Sequence, residues 1–219
     1  SVKYLDLSNS SIEDLSILLY LKNLQGLNIK NTHTKTVLPV AKLVKLKFLS
    51  MNYVQVSDIT PLQDVINLER LDISNTSIDN ADILASLTNL EVLNISDTLI
   101  TNFNFLKKLK NLTHLHINNS SISNLGSLRR LVNLKVLNLI NAPVLSLTPL
   151  YNLTKLTHLN LESTHISNIR ILKDHEQLLI LNLSNTDVAD IKPLEKLINL
   201  RYLNLKNTRI KTLDGVNKY

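Results

Sequence analysis

The sequence predicts an α/β solenoid, a right-handed arc with a parallel β-sheet on its concave face and short 3₁₀ or irregular segments on its convex face. A 22-residue unit that starts with L-x-x-L-x-[LI] recurs along the chain without an insertion. Within each unit, leucines alternate with polar residues at the period of two that marks a strand with one buried face. The 219 residues include only 3 glycines, 3 phenylalanines and no tryptophan, which suits a thin, repetitive core better than a compact globule.

Ten copies of the unit begin at residues 2, 24, 46, 68, 90, 112, 134, 156, 178 and 200, and the tenth stops short at Tyr219. Positions in the unit are numbered from these first residues. Because every step has the same length, we expect a single domain over residues 1–219.

Position four is leucine in all ten copies, and position six is leucine or isoleucine except at Met51. Both side chains of such a strand face the core. Apolar residues also recur at positions eleven, fourteen, seventeen and twenty. The spacings of three predict a short 3₁₀ or irregular return segment whose apolar side packs on the strands.

Polar residues with turn chemistry occupy two further positions. Position thirteen is small and polar throughout, and we expect it to cap the return segment. Four of the five prolines share position sixteen, in the first turn of that segment, where a missing N–H does no harm. Position nine carries a hydroxyl that we expect to pair with backbone groups of the turn, because an unpaired buried one costs about 1–3 kcal/mol. The hydroxyl residues are Ser10, Thr32, Thr76, Thr98, Ser120, Thr164, Thr186 and Thr208.

Two stretches carry a family resemblance: Ile59-Thr60-Pro61-Leu62 and Leu147-Thr148-Pro149-Leu150, each followed by x-x-[LV]-x-[NK]-L-x-x-L. They resemble the 22-residue leucine-rich repeats of bacterial internalins and are similar to those of the regulatory subunits that wrap protein phosphatase 1. The resemblance covers the whole chain and implies the leucine-rich-repeat fold, but it does not specify a function. Those families usually place Asn at position nine, whereas this chain places Ser or Thr there and Asn at position eight.

The exposed strand positions are the candidate binding surface. Position five is polar in every copy, which either side-chain amide stacking between strands or hydrogen bonding to a partner would explain. Position three varies freely, as a recognition surface does, although strand-compatible surface residues would give the same pattern. We predict a non-enzymatic protein–protein interaction module that binds a partner on the concave face through Tyr4, Phe48, Arg70, His114, His116, His158, Ile180 and Tyr202.

Two alternatives stay open. The net charge is +6, and the basic residues Lys107, Lys108, Lys110, Arg129 and Arg130 could attract nucleic acid or another polyanion. We expect nucleic acid to be the lesser alternative, because no column of stacking aromatics is expected beside these residues. The chain could also be a structural spacer within a longer protein.

Several kinds of site are not predicted. The chain has no cysteine, which excludes disulfides and thiol catalysis, and its three glycines form no phosphate loop. His114, His116 and His158 have no carboxylate beside them in the pattern, so we expect neither a metal nor any other cofactor, and no small-molecule substrate. No run of 18 apolar residues predicts a membrane span. The compartment stays open between a bacterial surface or secreted location and the cytosol.

Some copies depart from the pattern. The third has Tyr53-Val54 and so lacks the position-nine hydroxyl, and His175 replaces a core leucine in the eighth. Such departures indicate either local adaptation to a partner or drift that the array tolerates.

Overall fold

The computed structural model describes residues 2–214 and residue 216. It contains two compact units, unit 1 (Ser1–Leu112) and unit 2 (Thr113–Tyr219). In each, short parallel strands alternate with 3₁₀ helices, so the predicted α/β solenoid is confirmed. None of the described helices has the length and apolar character that a membrane-spanning helix needs.

The strands of each unit pair in sequence order, and residues 22 apart face each other. Each strand covers positions three to five of its copy. Unit 1 contains β1 (Tyr4–Asp6), β2 (Gly26–Asn28), β3 (Phe48–Ser50), β4 (Arg70–Asp72) and β5 (Val92–Asn94). Unit 2 contains β6 (His114–His116), β7 (Val136–Asn138), β8 (His158–Asn160), β9 (Ile180–Asn182) and β10 (Tyr202–Asn204).

The return segments contain the predicted 3₁₀ helices. In unit 1 they span Ser16–Tyr20, Leu38–Lys42, Thr60–Asp64, Asp82–Ser86 and Asn104–Lys108. In unit 2 they span Leu125–Leu128, Thr148–Leu150, Arg170–Asp174 and Lys192–Leu194. The four prolines of position sixteen lie at the start of their helices, as expected.

The core lies between the strands and these helices. The leucine of position four is at most 2% exposed in every copy from Leu27 to Leu181. Positions six, fourteen and seventeen supply further buried side chains, such as Ile29, Val37 and Val40. The core is therefore a column of stacked leucines, and this leaves the outer strand positions free of packing roles.

Position eight bends the chain out of each strand. All ten residues there adopt the left-handed backbone region, with φ between 50° and 62°. Asn and Asp tolerate this region better than other residues with a side chain, which explains why seven of the ten are asparagine. Amide ladders add to the turn: Asn31 Nδ2 donates to Asn9 Oδ1 (3.0 Å), and Asn207 Nδ2 to Asn185 Oδ1 (2.8 Å).

The position-nine hydroxyls pair with the backbone, as predicted. Each of the eight donates to the carbonyl oxygen of position six, three residues earlier in its own turn. Thr186 Oγ1, for example, lies 2.6 Å from the oxygen of Leu183. The hydroxyls thus supply a hydrogen bond to carbonyl groups at the point where the chain turns away from the sheet.

The position-thirteen side chains bind the start of the return segments, although only Asn124 is itself the N-cap of a described helix; in the other eight helices the N-cap is the apolar residue of position fourteen. In nine of the ten copies the side chain of position thirteen accepts a hydrogen bond from the N–H of position fifteen. At Asp58, a hydrogen bond from the Thr60 hydroxyl and a second one from the Thr60 N–H hold the pKa of the carboxyl below its usual value. In the tenth copy, Thr212 instead contacts Asp214.

Candidate functional site

The side chain of position five, on the outer strand surface, forms a hydrogen bond with the backbone of its own copy. In seven copies the Asn or Asp Oδ1 accepts a hydrogen bond from the N–H of position seven, two residues further on. Stacking between strands, the explanation expected from the sequence, is thus a minor contribution, seen for example between Asn138 Nδ2 and His116 Nδ1 (2.7 Å). In these seven copies position five therefore has a structural role, because its Oδ1 accepts this turn hydrogen bond.

Position three of unit 1 carries an aromatic cluster around Gly26. A Cβ atom at Gly26 would lie 2.5 Å from Tyr4 Cδ1 and 3.7 Å from Phe48 Cδ1. The glycine therefore makes room for the Tyr4 ring to lie over β2. Tyr4 is 71% exposed and Phe48 38%. The strand register brings Arg70 next to Phe48, so the three predicted residues of unit 1 share one surface.

An ion pair borders this cluster at position two. Lys47 Nζ lies 2.7 Å from Glu69 Oε1, and this hydrogen bond raises the pKa of Lys47 above its usual value. Both side chains are well exposed, so the pair adds little to stability. Arg70, by contrast, forms no ion pair among the described residues.

Position three of unit 2 has a different character. Its five side chains follow one another on adjacent strands, and Ile180 and Tyr202 are exposed whereas His114 and His158 are half-buried. His116, at position five, is half-buried beside Asn138. The predicted residues of unit 2 therefore also share a surface, defined by β6 to β10.

The hydroxyl of Thr157 lies beside the ring of His158. Thr157 Oγ1 is 2.8 Å from His158 Nδ1 and 3.1 Å from the Lys135 carbonyl oxygen, which also accepts the backbone N–H groups of Thr157 and His158. Which of the two atoms donates in the shorter contact depends on the tautomer of the ring. Among the described residues no three His, Asp or Glu side chains are grouped to hold a metal ion.

His175 lies in the core, where the sequence pattern has leucine. It is fully buried, with Nδ1 3.1 Å from the Ile171 oxygen and Nε2 3.2 Å from the Leu150 oxygen. Burial lowers the pKa of His175, and the two carbonyls oppose this only in part. It is a structural residue and belongs to no surface.

The basic residues are divided between the units. Lys107 and Lys108 end the last 3₁₀ helix of unit 1, and both phenylalanines of that copy are buried. In unit 2 the Arg129 guanidinium carbon lies 6.0 Å from the centroid of the Tyr151 ring. One aromatic ring therefore lies near one of the basic residues, which does not amount to the column of stacking aromatics considered above.

The sequence model of the family "Leucine Rich repeats (2 copies)" matches residues 66–108 and 176–218. An internalin from Listeria monocytogenes superposes on 97% of the chain with a TM-score of 0.91 and 28% identity. The chain has the leucine-rich-repeat fold and resembles the internalins. It spans 64% of the length of that internalin.

Two further solved structures share the leucine-rich-repeat fold. Internalin C2 from Listeria monocytogenes is 27% identical, with a TM-score of 0.66, over 92% of this chain and 80% of its own. The leucine-rich-repeat ectodomain of a membrane receptor kinase from Arabidopsis thaliana is 21% identical, with a TM-score of 0.73, over 94% of this chain and 30% of its own. No curated protein sequence matches the chain.

Leucine-rich-repeat folds are typical of protein–protein interaction modules, and such proteins are typically not enzymes. Their stacked repeats create extended surfaces on which a partner can lie. The fold of this chain is thus one that is typical of interaction modules.

Proposed function

We propose that the chain binds a partner protein through the outer strand surfaces of its two units and performs no catalysis. The exposure of large side chains at position three supports this most strongly: Tyr4 is 71% and Tyr202 54% exposed. Positions four and six are used for packing, and position five forms turn hydrogen bonds in seven of the ten copies. Large aromatic side chains held on rigid strands are the residue type that dominates interface energetics.

On unit 1 the contact surface is Tyr4, Phe48 and Arg70. The two rings flank Gly26, and Arg70 follows on the next strand. Rings provide apolar area at low conformational cost, and the guanidinium supplies directional hydrogen bonds. This surface suits a partner segment with an apolar side chain next to a carboxylate or a carbonyl.

On unit 2 the contact surface is His114, His116, His158, Ile180 and Tyr202. Ile180 and Tyr202 lie on adjacent strands and provide the apolar part. Nδ1 of His158 contacts the Thr157 hydroxyl, so Nε2 is the ring nitrogen proposed to form a hydrogen bond with the partner.

Two observations support binding without catalysis. The position-nine hydroxyls, which are the most numerous nucleophile-type groups, donate to backbone carbonyls. The receptor ectodomain from Arabidopsis thaliana, which shares the fold, was solved in complex with Casparian strip integrity factor 2.

The proposal is tested by capturing a partner on the immobilised chain, identifying it by mass spectrometry, and measuring its affinity for variants by calorimetry. We expect the variants Tyr4→Ala/Phe48→Ala and Ile180→Ala/Tyr202→Ala each to weaken binding about 10-fold or more, the scale of interface hot spots.

The controls change other exposed apolar residues, which lie in the return segments. Tyr20 and Leu38 serve in unit 1 and Leu145 and Ile198 in unit 2, with exposures of 81%, 65%, 70% and 75%. Alanine at these positions should leave the affinity within about twofold. If only the control variants lose binding, the partner contacts the return segments and the proposal is wrong.

A further inference from the structure

The charge of the chain is concentrated in one unit. Unit 2 has thirteen Lys and Arg against seven Asp and Glu, a difference of +6, whereas unit 1 has eleven of each. Residues 113–161 contain no Asp or Glu at all. The exposed basic residues of this stretch are Arg129, Arg130, Lys135 and Lys155.

Tyr151 lies among these cations. Residues 22 apart occupy the same place in neighbouring copies, and Arg129 and Tyr151 each follow directly on their 3₁₀ helices. The guanidinium lies 6.0 Å from the ring centroid, at the outer limit of a cation–π contact. Tyr151 is still 50% exposed, so much of its ring surface remains available. Lys173 occupies the equivalent place in the next helix and is exposed.

The cations are not neutralised internally. The ion pairs seen among the described residues are Lys47–Glu69 and Arg209–Asp187, and neither involves this cluster. Lys155 Nζ instead bonds to the neutral Asn133 Oδ1 at 2.8 Å. The nearest acidic residue in sequence to Tyr151 is Glu162, and Asp174 directly follows Lys173. When cations of a protein contact the phosphates of a nucleic acid, they displace the counterions condensed on it.

We propose that Arg129, Arg130, Tyr151, Lys155 and Lys173 form a binding site for single-stranded nucleic acid on unit 2. The four cations contact phosphates, and the Tyr151 ring stacks on an unpaired base. A sulfated polysaccharide or an anionic membrane would use the charges but gain nothing from the ring. A duplex keeps its bases inside the stack, so the ring selects the single strand. The site is separate from the strand surfaces and does not depend on the proposed protein partner.

The test is fluorescence anisotropy of the whole chain with a fluorescein-labelled oligothymidylate of 20 nucleotides. Four phosphate contacts predict a salt slope of about −2.8, so the affinity should fall about 50-fold between 50 and 200 mM salt. We expect Tyr151→Ala to weaken binding about 10-fold and Tyr151→Phe to stay within about twofold, because stacking needs the ring and not the hydroxyl.

The double variant Arg129→Ala/Arg130→Ala should reduce the salt slope by about 1.4. Its control is Lys22→Ala/Lys35→Ala, two exposed cations of unit 1, which makes the same change of net charge. Circular dichroism establishes that each variant folds. The proposal is overturned if the anisotropy does not change at 50 mM salt. It is also overturned if the two double variants lose the same amount of binding. Binding of heparin, duplex or phosphatidylserine vesicles as tight as that of the oligonucleotide, with Tyr151→Ala unaffected, also overturns it and indicates a general polyanion patch.

Discussion

Replacing Thr186 by Val removes one buried hydrogen bond and keeps the shape of the side chain. Thr186 is 5% exposed, and its hydroxyl lies 2.6 Å from the oxygen of Leu183, which is fully buried. Valine leaves that oxygen without this partner in a place that water does not reach. The cost of such an unsatisfied group is about 1–3 kcal/mol of unfolding free energy.

The same bond in a wet environment is the control. Ser10 Oγ donates to the Leu7 oxygen at 2.6 Å, but Ser10 is exposed. Water can replace the hydroxyl after Ser10→Ala, so we expect a loss below about 0.5 kcal/mol. The two variants therefore separate the effect of burial from the effect of the bond itself.

Urea unfolding followed by far-ultraviolet circular dichroism measures both changes. With an m-value of about 3 kcal/mol per molar urea, a loss of 2 kcal/mol lowers the midpoint by about 0.7 M. An unchanged m-value establishes that the shift reports stability. If Ser10→Ala costs as much as Thr186→Val, or if Thr186→Val costs nothing, the explanation given for the position-nine hydroxyls is refuted.

Four further predictions concern single residues or the whole chain. Because burial lowers the pKa of His175 below its usual value of about 6.5, the unfolded chain binds a proton that the folded chain does not. Stability should therefore fall as the pH drops from about 6.5 towards the lowered pKa, and this part of the pH dependence should be absent from His175→Leu in urea titrations at several pH values. At Asn185, where φ is 57°, Gly should be tolerated better than Ala by about 1–2 kcal/mol in thermal unfolding, the reverse of their order in a regular strand. Because Thr157 Oγ1 and His158 Nδ1 share a hydrogen bond, Thr157→Val should change the tautomer populations of neutral His158 in long-range ¹H–¹⁵N spectra; unchanged populations would contradict this contact. The single-domain prediction requires one unfolding transition for the whole chain, and two separate transitions would reject it.

Much of the fold can be predicted from the sequence because each structural position repeats ten times. The leucines of positions four and six indicate the strand, and the spacing of three indicates the 3₁₀ helices. The turn hydrogen bonds of position thirteen and the prolines of position sixteen follow from residue chemistry alone. A single copy would have given none of these signals reliably, because its exceptions, such as His175, could not be recognised.

The turn at position eight was missed although its signal was in the sequence. Seven asparagines at one position are a signature of the left-handed region, since Asn tolerates positive φ. Tyr53 adopts the same conformation with φ 62° and no such tolerance, so its copy gives no local hint. At position eight the left-handed conformation can be recognised only because asparagine recurs there in several copies.

The candidate sites were less predictable, because they depend on side-chain geometry. The packing of Tyr4 over Gly26 needs a particular ring orientation, and the tautomer of His158 needs the direction of the Thr157 hydroxyl. The neighbourhood of Arg129 and Tyr151 could have been found, since residues 22 apart in this repeat are adjacent. The strand surface itself remains a prediction.

Hydroxyl-radical footprinting of the chain, free and bound to its captured partner, tests the central claim most directly. Tyrosines report on both sides of the repeat: Tyr4 and Tyr202 lie on strands, whereas Tyr20 and Tyr151 lie at the return segments, and all four are at least 50% exposed. Binding through the strand surfaces predicts that oxidation of Tyr4, of Tyr202 or of both falls severalfold while Tyr20 and Tyr151 are unchanged. Protection of Tyr20 or Tyr151 with Tyr4 and Tyr202 still fully oxidised would contradict it.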